Sequence, residues 1–277
     1  MKTLSWNCRG LGNAWTVQDL CMIVEEKRPS VVFVMETKLQ VSRLEGIRRR
    51  LRMEGCFGVD LHGRGDGLAL FWKEEGMVDI LNFSQRHISV WICDNQGRHQ
   101  WLFTGFYGHP EASKRQEAWN VLKSIKPDGN KGWCVMGDFN EILTNDEKEG
   151  GRPRGEILMK NFRNALEEGG LSDLGWKGDK FTWSNRHGDE SFTKERLDRV
   201  VANKKWIEAQ KEVSAENLVA RSSDHRPVLL SFSQFNKSFY WSHRVFKYEA
   251  WWASETDCKK VVKEGWLHPS RGRGPAE

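Results

Sequence analysis

The first 36 residues, MKTLSWNCRGLGNAWTVQDLCMIVEEKRPSVVFVME (Met1–Glu36), contain two strand-like segments separated by one helical segment. Thr3–Trp6 has the length of a short buried strand, and Val31–Met35 is an uninterrupted apolar run rich in β-branched residues. Between them, Ala14–Lys27 carries apolar residues at helical spacing, and Pro29 ends the helix. We therefore predict a β-α-β unit whose second strand is covered on both faces.

Short strand-like segments follow between residues 58 and 107, separated by Gly, Asp and Asn. Turn residues of this kind between apolar segments are typical of hairpins. We predict an antiparallel meander here, formed by Leu68–Trp72, Met77–Phe83, Ile88–Cys93 and Trp101–Tyr107.

The alternation of strands and helices continues to about residue 235. We predict a helix at Glu156–Glu168 with one apolar side, which contains Ile157, Phe162, Ala165 and Leu166. The other elements predicted here are a helix at Ser113–Ile125 and strands at Gly132–Gly137, Arg196–Ala202 and Pro227–Phe232. Mixed strands with helices between them indicate two sheets packed together and covered by helices.

A change of composition near Phe235 divides the sequence. Residues 1–235 are predicted to form one α/β domain. Residues 236–277, which combine aromatic and basic residues with a Gly/Arg-rich end, are predicted to be partly helical and partly disordered.

The bulk composition indicates a soluble globular chain of 277 residues with a net charge of +5, which permits an acidic partner but does not require one. Its six cysteines are scattered without a C-x-x-C pair, so we expect reduced thiols and no disulfide framework. No apolar run approaches the roughly 20 residues that cross a bilayer. With no signal peptide visible either, we expect an intracellular protein without a membrane partner.

Polar residues close several of the predicted strands. Asp138 and Asn140 follow the strand at Gly132–Gly137, and a spacing of two makes side chains of an extended chain point the same way. A carboxylate can orient a water molecule or bind a hard cation, and an amide can fix that carboxylate or a phosphate oxygen. A turn rich in Asp and Asn that merely ends a strand is an equally good interpretation.

Glu36 and Asn7 end the two strands of the first unit. A carboxylate at the end of a buried strand needs a cation, a partner or water, and Mg²⁺ with its oxygen ligands would satisfy it. The alternative for Glu36 is a salt bridge to Lys38 or to a distant arginine. The alternative for Asn7 is a helix cap or a turn.

Asp224 and His225 are neighbours just before the last predicted strand, so their side chains should face opposite ways and serve separate functions. Taken alone, a solvated loop with a surface histidine explains this pair better. Asp198 could orient the His225 ring, or it could pair with a nearby arginine. Tyr107, at the end of another strand, could bind a phosphate oxygen, although a core position is the usual place for tyrosine.

Taken together, seven ordered motifs resemble the exonuclease–endonuclease–phosphatase superfamily, which includes exonuclease III, apurinic endonucleases and pancreatic-type deoxyribonuclease. They are Ser5-Trp6-Asn7, Glu36-Thr37-Lys38, Phe106-Tyr107-Gly108, Gly137-Asp138-Phe139-Asn140, Phe181-Thr182-Trp183, Arg196-Leu197-Asp198 and Ser223-Asp224-His225. Phrases such as Gly67-Leu68-Ala69-Leu70-Phe71-Trp72-Lys73 look most like the endonuclease domains of plant LINE-type (non-LTR) retrotransposon proteins.

The resemblance implies a pancreatic-deoxyribonuclease-like four-layer α/β sandwich, with two mixed, mainly antiparallel sheets between helical layers. It also implies a Mg²⁺-dependent endonuclease that hydrolyses DNA phosphodiester bonds by retroelement-type nicking, with Mn²⁺ able to substitute. The implied metal ligands are Asn7, Glu36 and Asp224. The implied catalytic residues are Asp138, Asn140, His225, Tyr107 and Asp198, supported at the substrate by Thr182 and Ser223. Duplex DNA would be the partner of a monomeric protein, and the nucleus its compartment.

Full retroelement proteins of this kind continue into a reverse transcriptase, and Phe246–Trp252 looks like the joining segment. We therefore expect this chain to be a fragment or a truncated or decayed copy. Two functional alternatives stay open. One is an abasic-site endonuclease, exonuclease or other phosphate-ester hydrolase of the same fold. The other is a catalytically silent nucleic-acid-binding remnant, for which the basic residues between Arg43 and Arg52 could bind phosphates, although a solvated helix face explains them better.

Overall fold

The computed structural model describes residues 1–60, 67–129 and 131–234, which contain sixteen strands and five α-helices. The strands are β1 (Lys2–Asn7), β2 (Val31–Met35), β3 (Gly55–Val59), β4 (Leu68–Trp72), β5 (Val78–Ser84), β6 (His87–Cys93), β7 (His99–Tyr107), β8 (Trp133–Asp138), β9 (Lys148–Glu149), β10 (Leu171–Asp173), β11 (Lys177–Gly178), β12 (Trp183–Ser184), β13 (Lys194–Glu195), β14 (Asp198–Asn203), β15 (Gln210–Asn217) and β16 (Val228–Gln234). The helices are α1 (Ala14–Lys27), α2 (Leu44–Arg50), α3 (Arg115–Ser124), α4 (Glu156–Gly169) and α5 (Lys204–Ala209). The predictions for residues 236–277 lie outside the described residues.

Two large sheets form the centre of the molecule. One has seven strands in the order β11-β15-β16-β1-β2-β4-β3, and the other has six in the order β10-β14-β8-β7-β6-β5. The pairs β1–β2, β7–β8 and β11–β15 are parallel, and the remaining neighbours in these two sheets are antiparallel. A small third sheet, β12-β13-β9, is formed by three two-residue strands.

The apolar residues divide into layers according to the pleat of the strands. In β2, Phe33 belongs to the core between the two large sheets, whereas Val34 faces the opposite way and packs with residues of α1 and α2. On the far side of the second sheet, Trp119 of α3 and Phe162 of α4 pack against strand residues. Both large sheets are therefore covered on both faces, which confirms the predicted four-layer α/β sandwich.

The first β-α-β unit has the predicted boundaries in α1 and β2, and β1 is longer by one residue at each end. Helix α1 begins where the Asn13 side chain accepts a hydrogen bond from the Trp15 N–H at 2.9 Å. It ends at Arg28, whose left-handed conformation (φ 51°) breaks the helical backbone. The unit therefore carries its own start and stop signals.

Two predictions from the sequence pattern were wrong. Leu68–Trp72 is a strand but does not belong to the meander, because it pairs with β2 and β3 in the first sheet, while β5, β6 and β7 form the meander in the second. Ile157 is 64% exposed and lies outside the core, whereas Met159 of the same helix is buried. Apolar character alone specified neither the sheet of a strand nor the first residue of a buried helix face.

The five cysteines in the described part of the chain are free thiols, in agreement with the predicted absence of a disulfide framework there. The described helices include none that is both long and apolar enough to span a membrane.

His87, at the start of β6, gives the second sheet a pH-dependent stability. The residue is 4% exposed, and its ring hydrogen-bonds the Ser84 hydroxyl at 2.8 Å and the side-chain amide oxygen of Asn82 at 2.9 Å. Burial lowers the pKa of His87 to about 4. A folded-state pKa below the unfolded value of ~6.5 gives a stability contribution that is present above pH 6.5 and is lost as pH falls toward 4.

We expect the free energy of unfolding to fall by about 2 kcal/mol between pH 7 and pH 4.5 through His87 alone. Urea unfolding of the wild type and of His87→Gln at both pH values measures this contribution as the difference between their pH dependences. The exposed His187 provides the matched control, because His187→Gln should keep the wild-type pH dependence. Equal pH dependence in all three proteins would contradict the prediction.

Candidate active site

Strand directions in the two sheets bring several predicted polar residues to one end of the sandwich. Because β1 and β2 are parallel, Asn7 is the register partner of Met35, and Glu36 follows Met35 directly in the chain. In the second sheet, Tyr107 and Asp198 are both register partners of Asp138 on the neighbouring strands. The two sheets meet at this end, where the Asn7 amide donates to Asp138 Oδ2 at 3.0 Å.

Asp138 is the centre of the site and is fully buried. Asn140 donates to its two oxygens, from the backbone N–H to Oδ1 at 2.8 Å and from the side-chain amide to Oδ2 at 3.1 Å. The predicted proximity is present, but its geometry differs from the extended chain we expected. Asn140 has φ 55°, so a turn brings the two side chains together. Gly108 allows the close approach, since a Cβ there would lie 2.1 Å from the Phe139 carbonyl oxygen.

Asp198 and His225 form a buried pair, with His225 Nδ1 2.9 Å from Asp198 Oδ2. The alternative partners of Asp198 are excluded, because Arg196 and Arg199 bind Glu147 and Asp173. His225 Nε2 lies 3.8 Å from Asp138 Oδ2, so the ring stands between two carboxylates.

The charges of this group shift two pKa values. Burial opposes a charge on His225, but the Asp198 and Asp138 carboxylates outweigh it and raise the pKa of His225 to about 9. Burial, supported by the nearby Asp198 charge, raises the pKa of Asp138 to about 7 against the opposing effect of His225. At neutral pH the ring is therefore an imidazolium, a hydrogen-bond donor on both nitrogens.

Glu36 follows β2 in a left-handed conformation (φ 50°). Its Oε1 accepts hydrogen bonds from the Asn7 amide at 2.9 Å and the Tyr107 hydroxyl at 3.0 Å. Burial and the neighbouring Glu36 and Asp138 carboxylates raise the pKa of Tyr107 above its ordinary value, which keeps this phenol protonated as a donor. The alternative salt bridge is also present, because Lys38 Nζ lies 3.6 Å from Glu36 Oε2.

Asp224 points away from the His225 ring, as expected for neighbours in the chain. Its Oδ2 accepts from the Arg9 guanidinium at 2.8 Å and from the Trp183 indole N–H at 3.0 Å. Arg9 also approaches Glu36, with Nε 3.7 Å from Oε2. Glu36 and Asp224 thus lie on two sides of one guanidinium.

Thr182 and Ser223 support the backbone of the site and are buried. The Thr182 hydroxyl accepts from the backbone N–H groups of Leu197 at 3.0 Å and Asp198 at 2.9 Å. The Ser223 hydroxyl donates to the Asn7 carbonyl oxygen at 2.8 Å and accepts from the His225 N–H at 3.1 Å. Both side chains fix strand ends through hydrogen bonds to backbone atoms, and the Ser223 hydroxyl also donates to Asp224 Oδ1 at 3.5 Å.

The donor set beside Glu36 fits a hard divalent cation. Asn7 Oδ1 is buried and has no hydrogen-bond donor among the described residues. A free amide oxygen beside a carboxylate matches the oxygen ligands that Mg²⁺ prefers. Asp138, Asp198 and His225 also bring ligand atoms within 4.8 Å of one another. That second cluster fits a cation less well, because Asp198 holds one nitrogen of a positively charged ring.

A cavity of about 500 Å³ opens over these groups and is lined by residues that include Glu36, Tyr107, Asn140 and His225. Sequence reasoning missed two residues at this site, Arg9 and Trp183, as functional candidates. Both were inside quoted motifs or next to them, but only the fold brings them to Asp224.

The match to known proteins agrees with this geometry. The model of the endonuclease/exonuclease/phosphatase family matches residues 4–225. The chain belongs to this family. The family predicted from the seven motifs is thereby confirmed.

Solved structures of endonuclease/exonuclease/phosphatase type share the fold at low sequence identity. The endonuclease domain of TRAS1, a telomere-specific non-LTR retrotransposon, is 15% identical with a TM-score of 0.59, and the match covers 86% of this chain and 99% of that one. An AP endonuclease from Archaeoglobus fulgidus is 16% identical with a TM-score of 0.65, covering 84% and 99%. The 3′ phosphatase NExo from Neisseria, bound to a product DNA hairpin, is 18% identical with a TM-score of 0.63, covering 84% and 99%.

A search of curated proteins finds no match to the chain. The family assignment therefore rests on the family model and on the fold, and the family name covers both nucleases and phosphatases.

Proposed function

We propose that this chain is a Mg²⁺-dependent endonuclease that hydrolyses phosphodiester bonds of duplex DNA and nicks it in the manner of a retroelement. The observation that carries the proposal is the pairing of two sets of groups at one end of the sandwich. A buried carboxylate, Asp138, lies 3.8 Å from Nε2 of His225. The Asn7 amide joins Asp138 to Glu36, and the Asn7 Oδ1 beside them has no hydrogen-bond donor among the described residues.

Glu36, Asn7 Oδ1 and Asp224 would hold the metal ion. When bound, a divalent ion supplies charge stabilisation to a phosphodiester and lowers the pKa of water. Mn²⁺ has similar ligand preferences and should substitute for Mg²⁺.

The protein's own groups have complementary tasks in hydrolysis. Asp138 orients the attacking water and accepts its proton, since Asn7 and Asn140 fix both carboxylate oxygens. His225 donates from Nε2 to a phosphate oxygen, and Asp198 holds the ring from the other nitrogen. Tyr107 stays protonated near the leaving oxygen. The products are a 3′-hydroxyl and a 5′-phosphate.

The cavity lining supports a polyanionic substrate. Four cationic side chains line it, against the carboxylates of Glu36 and Glu195: Arg9, Arg115, Lys148 and Arg154. Positive groups beside a hydrolytic site attract phosphates and give salt-dependent affinity. We propose duplex DNA as the partner of a monomeric enzyme, and the nucleus as the compartment where that substrate is found.

Supercoiled plasmid is the direct test of this function. We expect purified protein to convert it to the relaxed form with Mg²⁺ or Mn²⁺, and to lose this activity in EDTA because the proposed ligands then hold no ion. Asp138→Asn is the control, as it preserves the shape of the side chain while removing its charge. Equal nicking by this variant would show contamination and would contradict the proposal.

Parallel assays decide between related activities. Faster cleavage of abasic than of intact duplex, or release of phosphate from 3′-phosphorylated ends alone, would replace nicking by another hydrolysis of the same fold. DNA binding that survives EDTA without any cleavage would indicate a silent binding protein instead.

A further inference from the structure

Among the described residues, Arg9 is the cation that contacts two proposed metal ligands. Its Nη1 lies 2.8 Å from Asp224 Oδ2, and its Nε lies 3.7 Å from Glu36 Oε2. Its side chain is 45% exposed, whereas those of Glu36 and Asp224 are 12% and 20% exposed. The guanidinium therefore stands on the solvent side of the two carboxylates, at the mouth of the cavity that it also lines.

The backbone of Arg9 fixes the point from which its side chain reaches the two carboxylates. Arg9 has φ 52°, a conformation that residues with a Cβ rarely adopt. Backbone hydrogen bonds on both sides of it hold the loop against the Glu36 segment, from Cys8 N–H to Met35 O at 3.1 Å and from Leu11 N–H to Thr37 O at 2.8 Å. Strained residues persist where the surroundings determine them, so the position of Arg9 is built into the fold.

A guanidinium and a divalent ion compete for such oxygens. Asp224 Oδ2 already accepts two donors, from Arg9 and Trp183, so its lone pairs are largely engaged. An ion bound to Glu36 and Asp224 would also meet the positive charge of Arg9 at short range, and like charges repel strongly at partly buried sites. Binding of the ion therefore requires the guanidinium to leave the carboxylates.

We propose that Arg9 is a positioning residue that competes with the divalent ion for Glu36 and Asp224, and that the ion displaces its guanidinium toward the phosphate of bound DNA. The proposal rests on the metal site put forward above. A released guanidinium at the cavity mouth can bind phosphate through two parallel N–H groups, which suits its planar shape. The ion and DNA should then favour each other's binding, because each one favours the same displaced position of Arg9.

Ion affinity without DNA is the first measurement. Mn²⁺ binding, followed by electron paramagnetic resonance of the free ion, should be about tenfold tighter in Arg9→Gln than in the wild type, as expected for removing one competing charge. Glu36→Gln tests whether the ion binds at the proposed site, since this variant should lose most of the Mn²⁺ binding. Unchanged or weaker Mn²⁺ binding in Arg9→Gln would overturn the proposal.

Lys38 provides a matched control. Its Nζ lies 3.6 Å from the same Glu36 oxygen, but within the described part of the chain no ion pair joins Lys38 to Asp224. Lys38→Gln removes the same charge without removing a bridge, so Mn²⁺ affinity should rise by less than about threefold. An equal rise of Mn²⁺ affinity in the two variants would show that Arg9 acts only through its charge. That result would contradict its bridging function.

DNA binding is the second measurement, with Ca²⁺ as an ion that tests binding apart from Mg²⁺-dependent cleavage. By fluorescence anisotropy of a labelled duplex, Arg9→Gln should weaken DNA binding in Ca²⁺ by about tenfold and change it less than twofold in EDTA. A merely structural function would weaken binding equally in both conditions, and that result would overturn the proposal.

These results separate the two proposals. If Glu36→Gln binds Mn²⁺ as the wild type does, the proposed metal site is wrong and the inference about Arg9 fails with it. If Glu36→Gln loses the ion and the wild type nicks plasmid, but Arg9→Gln matches the wild type in both binding assays, the inference about Arg9 alone fails.

Discussion

Replacing His225 by alanine will lower the rate of Mg²⁺-dependent plasmid nicking by about a thousandfold, the upper end of the 10²–10³ loss for removing one hydrogen-bond donor to transition-state charge. The ring carries a positive charge at neutral pH because the pKa of His225 is raised to about 9. Its Nε2 lies 3.8 Å from Oδ2 of Asp138, the proposed base for the attacking water. Rates of relaxation of supercoiled plasmid at pH 7.5 measure the loss.

The matched control is His187→Ala, which removes an exposed histidine of the same chain and should retain the wild-type rate. Asp198→Asn should also slow nicking, because it removes the charge that stabilises the imidazolium. In the double variant the two losses should not add, since both act through one ring. Nicking by His225→Ala within tenfold of the wild type would rule out this function for the histidine.

Much of the fold could be predicted because its signals are local. Val31–Met35 is apolar at every position, and this is what a strand between two layers requires. The site residues could be predicted as a set, since a strand that ends at the rim of a sheet places its last polar residue there. Asp198 could be predicted as a partner of His225 in the same way, because it opens a strand at the same rim.

Other features depend on contacts that no local pattern contains. Leu68–Trp72 pairs with β2 and β3 rather than with β5, and nothing in its own residues specifies that choice. Arg9 gave no signal because an arginine in a glycine-rich loop is typical of solvated turns. Its proposed function follows only from its contact with Asp224, 215 positions away in the sequence.

The ion-pair network behind the site could likewise not be predicted from the sequence. Arg196 and Arg199 each bind both Glu147 and Asp173, at distances of 2.7 to 2.8 Å, and together they form a closed group of four charges. The Arg199 side chain has no solvent exposure. Burial disfavours the charge on Glu147, but Arg199 and Arg196 outweigh it and lower the pKa of Glu147.

We expect Arg199→Met to lower the free energy of unfolding by about 3 to 5 kcal/mol. This is the largest loss of stability that we predict for a single substitution. The change leaves the buried carboxylates of Glu147 and Asp173 with one guanidinium in place of two. Urea unfolding at pH 7.5 measures the loss. Arg49→Met is the control, because Arg49 pairs with Glu45 in α2 while 74% exposed, and such pairs contribute less than about 1 kcal/mol.

Arg199 stands next to Asp198 in β14 but does not line the cavity of the candidate site. Its loss should therefore reduce the amount of folded protein and leave the nicking rate per folded molecule within about threefold of the wild type, since the network acts on stability. A variant as stable as the wild type would show that the network is dispensable. A stable fold with a hundredfold slower rate would show instead that these charges act on the site through Asp198.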